Sequence, residues 1–246
     1  PKPGTRNYFF MSEIYFIRHG QASFGQENYD RLSPAGIRQA RLLGRHLARL
    51  DRSFNAVICG TLERQQHTAG AMIDAFGENG SRLPSPHTNP AFDEFDSQAV
   101  WLAILPQVLD DEPGAKADLD QMLADRRAFQ RLFQQVMERW ITDRYDSSEC
   151  PGWQDFTGRV RTGIETLTNQ WGSEKRLAVV SSGGPISVAV QMALGLSDAN
   201  TISLTWQIAN ASVSRFKYSH RGIALAGFND VAHLELEKDP QLITYR

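Results

Sequence analysis

Three short apolar runs constrain this chain more than any other feature, because each stops abruptly and gives way to a helical pattern. Residues 13–18 form the first, Ala56-Val57-Ile58-Cys59 the second and Leu177-Ala178-Val179-Val180 the third. Runs of this length, rich in β-branched and aromatic residues, read as strands buried on both faces. After the first run and a polar stretch from Gln21 to Arg31, Ser33-Pro34 opens a helix, serine as cap and proline at the first helical position. Ile37, Ala40, Leu43, Leu47 and Leu50 then recur at helical spacing to about residue 50. A second helix over residues 62–76 follows Gly60-Thr61, and an apolar helix over 186–195 follows Ser181-Ser182-Gly183-Gly184-Pro185. The alternation predicts an α/β fold: a three-layer α/β/α arrangement with a mostly parallel central sheet and helices on both faces.

Residues 77–98 are rich in Gly, Pro and Asn and carry no clear period. Helical patterns over about 98–110, 116–145 and 153–171 make a mostly helical insertion, about 95–172, lying over the sheet. Trp101, Phe129, Phe133 and Trp140 within it read as core. The tail reads as strands over 203–209 and 212–218, a turn at His220-Arg221-Gly222 and one further strand. Residues 11–246 are expected to form a single domain, and residues 1–10, ahead of Met11, a leader or upstream extension.

With 246 residues, 41% of them hydrophobic, the composition is that of an ordinary globular chain. A formal net charge of −2 offers no electrostatic basis for binding nucleic acid or a membrane surface. No apolar run approaches the roughly 20 residues of a membrane span, and the N-terminus lacks the apolar core of a signal peptide. A cytoplasmic location follows as the expectation. Cys59 and Cys150 lie far apart and match no zinc spacing, so two free thiols and no metal are expected. His46, His67, His87, His220 and His233 read as surface or capping residues. Oligomeric state is open between monomer and homodimer.

The three strand ends bring chemistry to one edge of the sheet, where α/β folds place their ligands. The first ends on Arg18-His19-Gly20: a guanidinium whose planar fork matches phosphate oxygens, an imidazole that is neutral near pH 7, and a residue that lets the chain turn tightly. The second leads into a helix with Arg64 in its first turn. The third supplies a Gly-Gly turn at a helix N-terminus, itself an anion site. Ser182, between strand and helix, is not a nucleophile elbow, because the local sequence is not Gly-x-Ser-x-Gly.

This set resembles the histidine phosphatase superfamily, the group that includes the cofactor-dependent phosphoglycerate mutases and many small phosphatases. The resemblance rests on Arg18-His19-Gly20, Leu32-Ser33-Pro34-Ala35-Gly36 with Gln39-Ala40, Arg64 followed by Thr68-Ala69, Glu94, and the strand–Gly-Gly–helix segment at 177–195. It implies a covalent mechanism on a small phosphorylated substrate, without metal or other cofactor. His19 would form a phosphohistidine, Arg18 and Arg64 would hold the phosphoryl oxygens, and Glu94 would protonate the leaving alcohol and then activate water. Gly20, Gln21, Ser23, Ser182 and Gly183 would contact the substrate. One departure matters: the family pattern is Ser-His-Gly-Gly where this chain has Ser181-Ser182-Gly183-Gly184. Serine keeps one donor but lacks reach and positive charge, and loss of one preorganised donor costs on the order of 100- to 1000-fold in rate. The resemblance therefore leaves open a phosphatase slowed by the missing donor, a phospholigand-binding protein with little turnover and, less favoured, a mutase. Restoring the histidine by Ser182→His is expected to raise activity. A second departure is Gln21-Ala22 where the family often has Glu-Thr.

Overall fold

The computed structural model describes residues 12–23, 30–145 and 150–245; residues 1–10, read above as a leader, lie outside them. A six-stranded sheet is the centre of the molecule. In chain order the elements are β1 (Ser12–Arg18), α1 (Pro34–Arg49), β2 (Ala56–Cys59), α2 (Glu63–Phe76), β3 (Pro86–Thr88), α3 (Ser97–Asp111), α4 (Ala115–Gln121) and α5 (Arg126–Ile141). They continue with α6 (Trp153–Trp171), β4 (Arg176–Ser181), α7 (Gly183–Leu194), α8 (Asp198–Thr205), β5 (Val213–Ser219), β6 (Gly222–Asp230) and α9 (Ala232–Glu235). The spatial order is β3-β2-β4-β1-β5-β6. β3, β2, β4 and β1 run parallel, and β5 and β6 add an antiparallel hairpin beside β1.

The strand period of two decides which helices cover which face. Ile14 and Phe16, Ala56 and Ile58, and Leu177 and Val179 point into one core with α3, α5, α6 and α7. Their neighbours Tyr15, Ile17, Val57, Cys59, Ala178 and Val180 point the other way, onto Leu43 and Leu47 of α1 and Ala69, Met72 and Phe76 of α2. The middle of each of these strands is apolar at successive positions because both faces are covered, and the expected three layers follow.

The structure departs from the sequence reading at several points. Residues 203–209 do not form a strand: α8 runs through Thr205. Ser197 caps it by accepting from the Asn200 amide (3.3 Å), and the Thr201 and Thr205 hydroxyls donate to carbonyls one turn back. Of the segment read as a strand, Ser203, Leu204 and Thr205 are thus used within a helix. The pattern over 116–145 is two helices, divided where the Asp125 carboxylate caps α5 at the Arg127 amide (2.8 Å). In α1 the buried face is Gly36, Gln39, Ala40, Leu43, Gly44, Leu47 and Ala48, so Ile37 and Leu50 are exposed. His233 is buried against His46, ring centroids 5.9 Å apart. The short exposed strand β3 has neither alternation nor an apolar run to announce it. Trp140 is fully buried, whereas Trp101, Phe129 and Phe133 form a half-buried stack that Phe133 continues edge-on to Trp206. Cys59 and Cys150 are free and buried.

Candidate active site

The carboxyl ends of β1, β2 and β4 meet at one edge of the sheet. Arg18 and Ser181 are the last paired residues of β1 and β4, and the His19 amide donates to the Ser181 carbonyl at 2.8 Å. The register therefore sets Ser182 beside His19, on strands about 4.8 Å apart. His19 is buried, and its main chain is held on the far side as well: its carbonyl accepts from Asn210 Nδ2 (3.1 Å) and the Ala211 amide (3.2 Å).

After His19 the chain must pass close to α1. A Cβ on Gly20 would strike the Gly36 carbonyl, and one on Gly36 would strike Gln21, so two glycines allow loop and helix to touch backbone to backbone. The Gly20 amide donates to Thr68 Oγ1 (3.0 Å) and the Gln21 amide to Gln39 Oε1 (2.8 Å). The Gln21 side-chain carbonyl accepts from Ser33 Oγ (2.8 Å), the residue that caps α1. Gln21 thus ties the loop to the helix cap. Ser23 donates its amide to the Arg31 carbonyl (2.7 Å), ahead of residues 24–29, which lie outside the described residues.

The imidazole of His19 has a defined tautomer. Nδ1 lies 2.7 Å from the Gly20 carbonyl, which can only accept, so the proton is on Nδ1 and Nε2 keeps its lone pair. Arg64 Nε donates to that lone pair at 3.2 Å. Burial, then the charges of Arg64 and Arg18, hold the imidazole well below its ordinary pKa, opposed by the Gly20 carbonyl. Arg18 donates from Nη1 to the Ile208 carbonyl. Arg64 donates from Nη1 to Asp30, whose other oxygen accepts the Glu63 amide at the start of α2 (2.6 Å). The Asp30 carboxylate thereby fixes a guanidinium and caps a helix.

Glu94 arrives on a pinned loop. Asn89 caps the turn Pro90–Phe92 through the Ala91 amide (2.9 Å), and the Phe92 ring is buried. The Phe92 carbonyl accepts from Ser181 Oγ (2.7 Å), and the next residue, Asp93, accepts from Thr61 Oγ1 (2.6 Å). Arg159 of α6 donates to the Asp93 carbonyl (3.0 Å). One Glu94 oxygen accepts from the Gly184 amide (3.0 Å), the other from its neighbour Phe95 (3.1 Å). A Cβ on Gly184 would collide with the carboxylate, so the second glycine of the turn is what lets Glu94 reach the helix N-terminus. Burial raises the Glu94 pKa against the lowering pull of those amides, Arg64 and Arg18.

Arg18, His19, Gly20, Arg64, Glu94, Ser182 and Gly183 thus occupy one edge of the sheet. Gly183 opens α7 where a Cβ would strike the Thr205 carbonyl. Asp30, Gln65 and Asn210 are parts that sequence reasoning passed over. Asp30 sits in an irregular polar stretch, and Gln65 follows Arg64 on a different helix face, so neither carried a periodic signal. A lone pair held beside two guanidiniums, with a carboxyl of raised pKa nearby, is equipped for phosphoryl transfer.

The sequence matches the family model of the histidine phosphatase superfamily (branch 1) over residues 14–107 and 117–231. The chain belongs to this superfamily. It is similar to the mitochondrial serine/threonine-protein phosphatase Pgam5 of Caenorhabditis elegans, 30% identical over 96 residues. That match takes in 38% of this chain and about a third (34%) of the relative. Among solved structures it resembles phosphoglycerate mutase from Bacillus anthracis str. Sterne: TM-score 0.64, 16% identity, 93% of this chain and 97% of the other covered. It also resembles phosphoserine phosphatase from Entamoeba histolytica solved with phosphoserine: TM-score 0.58, 17% identity, 91% and 100% covered. At these identities the structural likeness speaks for the fold. The superfamily is home to both phosphatases and mutases, and the sheet described above is its phosphoglycerate mutase-like α/β fold. Among the described residues, no helix is long and apolar enough to cross a membrane.

Proposed function

We propose that this protein is a phosphomonoester hydrolase that acts through a phosphohistidine on His19. In this reading Nε2 of His19 attacks phosphorus while the bond to the leaving alcohol breaks, and the proton of Glu94 passes to the departing oxygen. Water then attacks the phosphohistidine, Glu94 takes its proton, the P–N bond breaks, and inorganic phosphate and Nε2 are released. Arg18 and Arg64 meet the charge on the phosphoryl oxygens, a task for which the chemistry needs no metal. The observation that carries the reading is the His19 tautomer: Nδ1 is spent on the Gly20 carbonyl, so the lone pair faces Arg64, where a phosphoryl group would bind. Gly20, Gln21, Ser23, Ser182 and Gly183 complete the proposed contacts. The substrate class is a small phosphorylated molecule in the cytoplasm, with the protein acting as monomer or homodimer and binding neither nucleic acid nor membrane.

The test is steady-state hydrolysis of p-nitrophenyl phosphate by wild type and His19→Ala, paired with acid-quench trapping of an acid-labile phosphoenzyme. Equal rates in the two proteins would sink the reading. The substitution at Ser182 favours a second reading, a phospholigand-binding protein with little turnover. It predicts phosphate binding that depends on Arg18 and Arg64 without hydrolysis.

A further inference from the structure

Ser182 is fully buried beside His19, and so is the side chain that touches it, Gln65. Gln65 Nε2 donates to the Phe92 carbonyl (3.1 Å) and to Ser182 Oγ (2.8 Å). The direction of the second bond is forced. A backbone carbonyl can only accept, so the amide nitrogen, not the amide oxygen, must face Phe92, and the same nitrogen then faces Ser182. Ser182 Oγ must accept. Its own O–H proton is left to point elsewhere, and among the described residues the bond from Gln65 is the only hydrogen bond that the hydroxyl makes. Nor does the hydroxyl cap the helix it precedes. The Gln65 oxygen is turned back toward the Leu62 amide (3.4 Å), so the side chain is held at both ends.

We propose that Gln65 is a positioning residue which fixes the Ser182 hydroxyl as a donor to the phosphoryl group carried by His19. The pair then fills, without charge, the place where the superfamily pattern has a histidine. The proposal rests on the hydrolase reading above and deepens it. A serine alone is free to rotate, and its proton finds whichever acceptor is nearest. A serine whose lone pair is already engaged by an amide tied to a backbone carbonyl presents its proton in one sense only, which is the preorganisation that stabilises a transition state. Gln65 itself does not reach the reacting atoms, since both its amide protons are spent.

A double-mutant cycle tests this with Ser182→Ala, Gln65→Leu and the double variant. Gln65→Glu serves as the near-isosteric control, because its carboxylate would accept the serine proton instead of donating. Each single change is expected to lower kcat for p-nitrophenyl phosphate by on the order of 10- to 100-fold with KM little changed, and the double variant to lose no more than the worse single. Gln65→Glu is expected to match Ser182→Ala. Affinity for orthovanadate, by calorimetry, is expected to fall in the same non-additive way. That arm needs no turnover, so it separates failure of this proposal from failure of the hydrolase reading, which His19→Ala addresses. Multiplying losses in folded variants, or a Ser182→Ala protein with unchanged kcat and vanadate affinity, would overturn it.

Discussion

Arg64 Nε donates to Nε2 of His19 over 3.2 Å, on the one ring nitrogen that still carries a lone pair. In the proposed reaction the guanidinium therefore sits where an incoming phosphoryl group would come, and its orientation decides whether the pocket is ready. That orientation is set by a carboxylate on a different loop, Asp30, which also caps α2 through the Glu63 amide.

Asp30→Ala is accordingly expected to lower kcat/KM for an aryl phosphate by about 10- to 100-fold, the effect of a small misplacement of a binding group. Asp30→Glu should recover part of the loss. Steady-state kinetics with thermal melting distinguish this from unfolding, and a fully active Asp30→Ala protein would show that Arg64 needs no such anchor.

The packing around position 182 changes the expected outcome of restoring a histidine there. Ser182 has no exposed surface and its Oγ touches the Gln65 amide at 2.8 Å, so an imidazole would enter the volume that Gln65 occupies. Ser182→His alone should lose activity, and overpacking of this kind costs about 1–3 kcal/mol of stability. Adding Gln65→Ala should return both stability and rate. The comparison of the single with the double variant by melting and by turnover checks it.

The pH profile follows from two opposed shifts. His19, held below 6.5 by burial and by Arg64 and Arg18, stays neutral through pH 7, so the acid limb of kcat/KM should lie below that value. Glu94, raised above 4.5 by burial, must be protonated to serve a leaving alcohol, so the rate should fall as pH rises through its elevated pKa. An optimum on the acid side of neutrality is expected. Glu94→Gln should remove the alkaline limb for p-nitrophenyl phosphate, whose leaving group needs little protonation. A wild-type rate that climbs steadily to pH 9 would contradict these roles.

Stability has its own pH dependence, through His233. Burial, then the neighbouring His46, lowers its pKa from 6.5 to about 4, partly offset by Asp230 and the Ala211 backbone. Above pH 6.5 the ring is neutral folded or unfolded and contributes no pH dependence. Below it the unfolded chain takes up a proton that the native ring refuses, so stability falls until about pH 4, by up to about 3 kcal/mol. His233→Phe should lessen the fall of the melting temperature between pH 6.5 and 4.5, leaving the contribution of the same sign that comes from His19.

The fold was legible because burial on both sides leaves β1, β2 and β4 almost purely apolar, and each ends on a residue that breaks the run. Arg18, His19 and Arg64 were legible for the same reason: they stand at strand ends or a helix start, where position itself carries meaning. What escaped was whatever depends on partners distant in sequence. Ser203, Leu204 and Thr205 look like the start of a strand, yet they finish a helix that Ser197 caps, and Thr205 turns its hydroxyl onto the Thr201 carbonyl. Asp30 and Gln65 are unremarkable polar residues until folding brings one to Arg64 and the other to Ser182. Nothing in their own neighbourhoods marks them.

The main chain at His19 and Gly20 is fastened to Ser181, Asn210, Ala211 and Thr68, segments separated by nearly 200 positions in some cases. The proposed nucleophile stands near the start of the chain, but its surroundings are assembled only when residue 211 is in place. During synthesis the ribosome must therefore deliver almost the whole polypeptide before the site exists, and long-range closure of this sort is slow. A truncated chain ending before β5 would carry every proposed catalytic side chain and still lack the pocket. The proposed hydrolysis would then report completion of the fold, all or none, more sharply than helix content does.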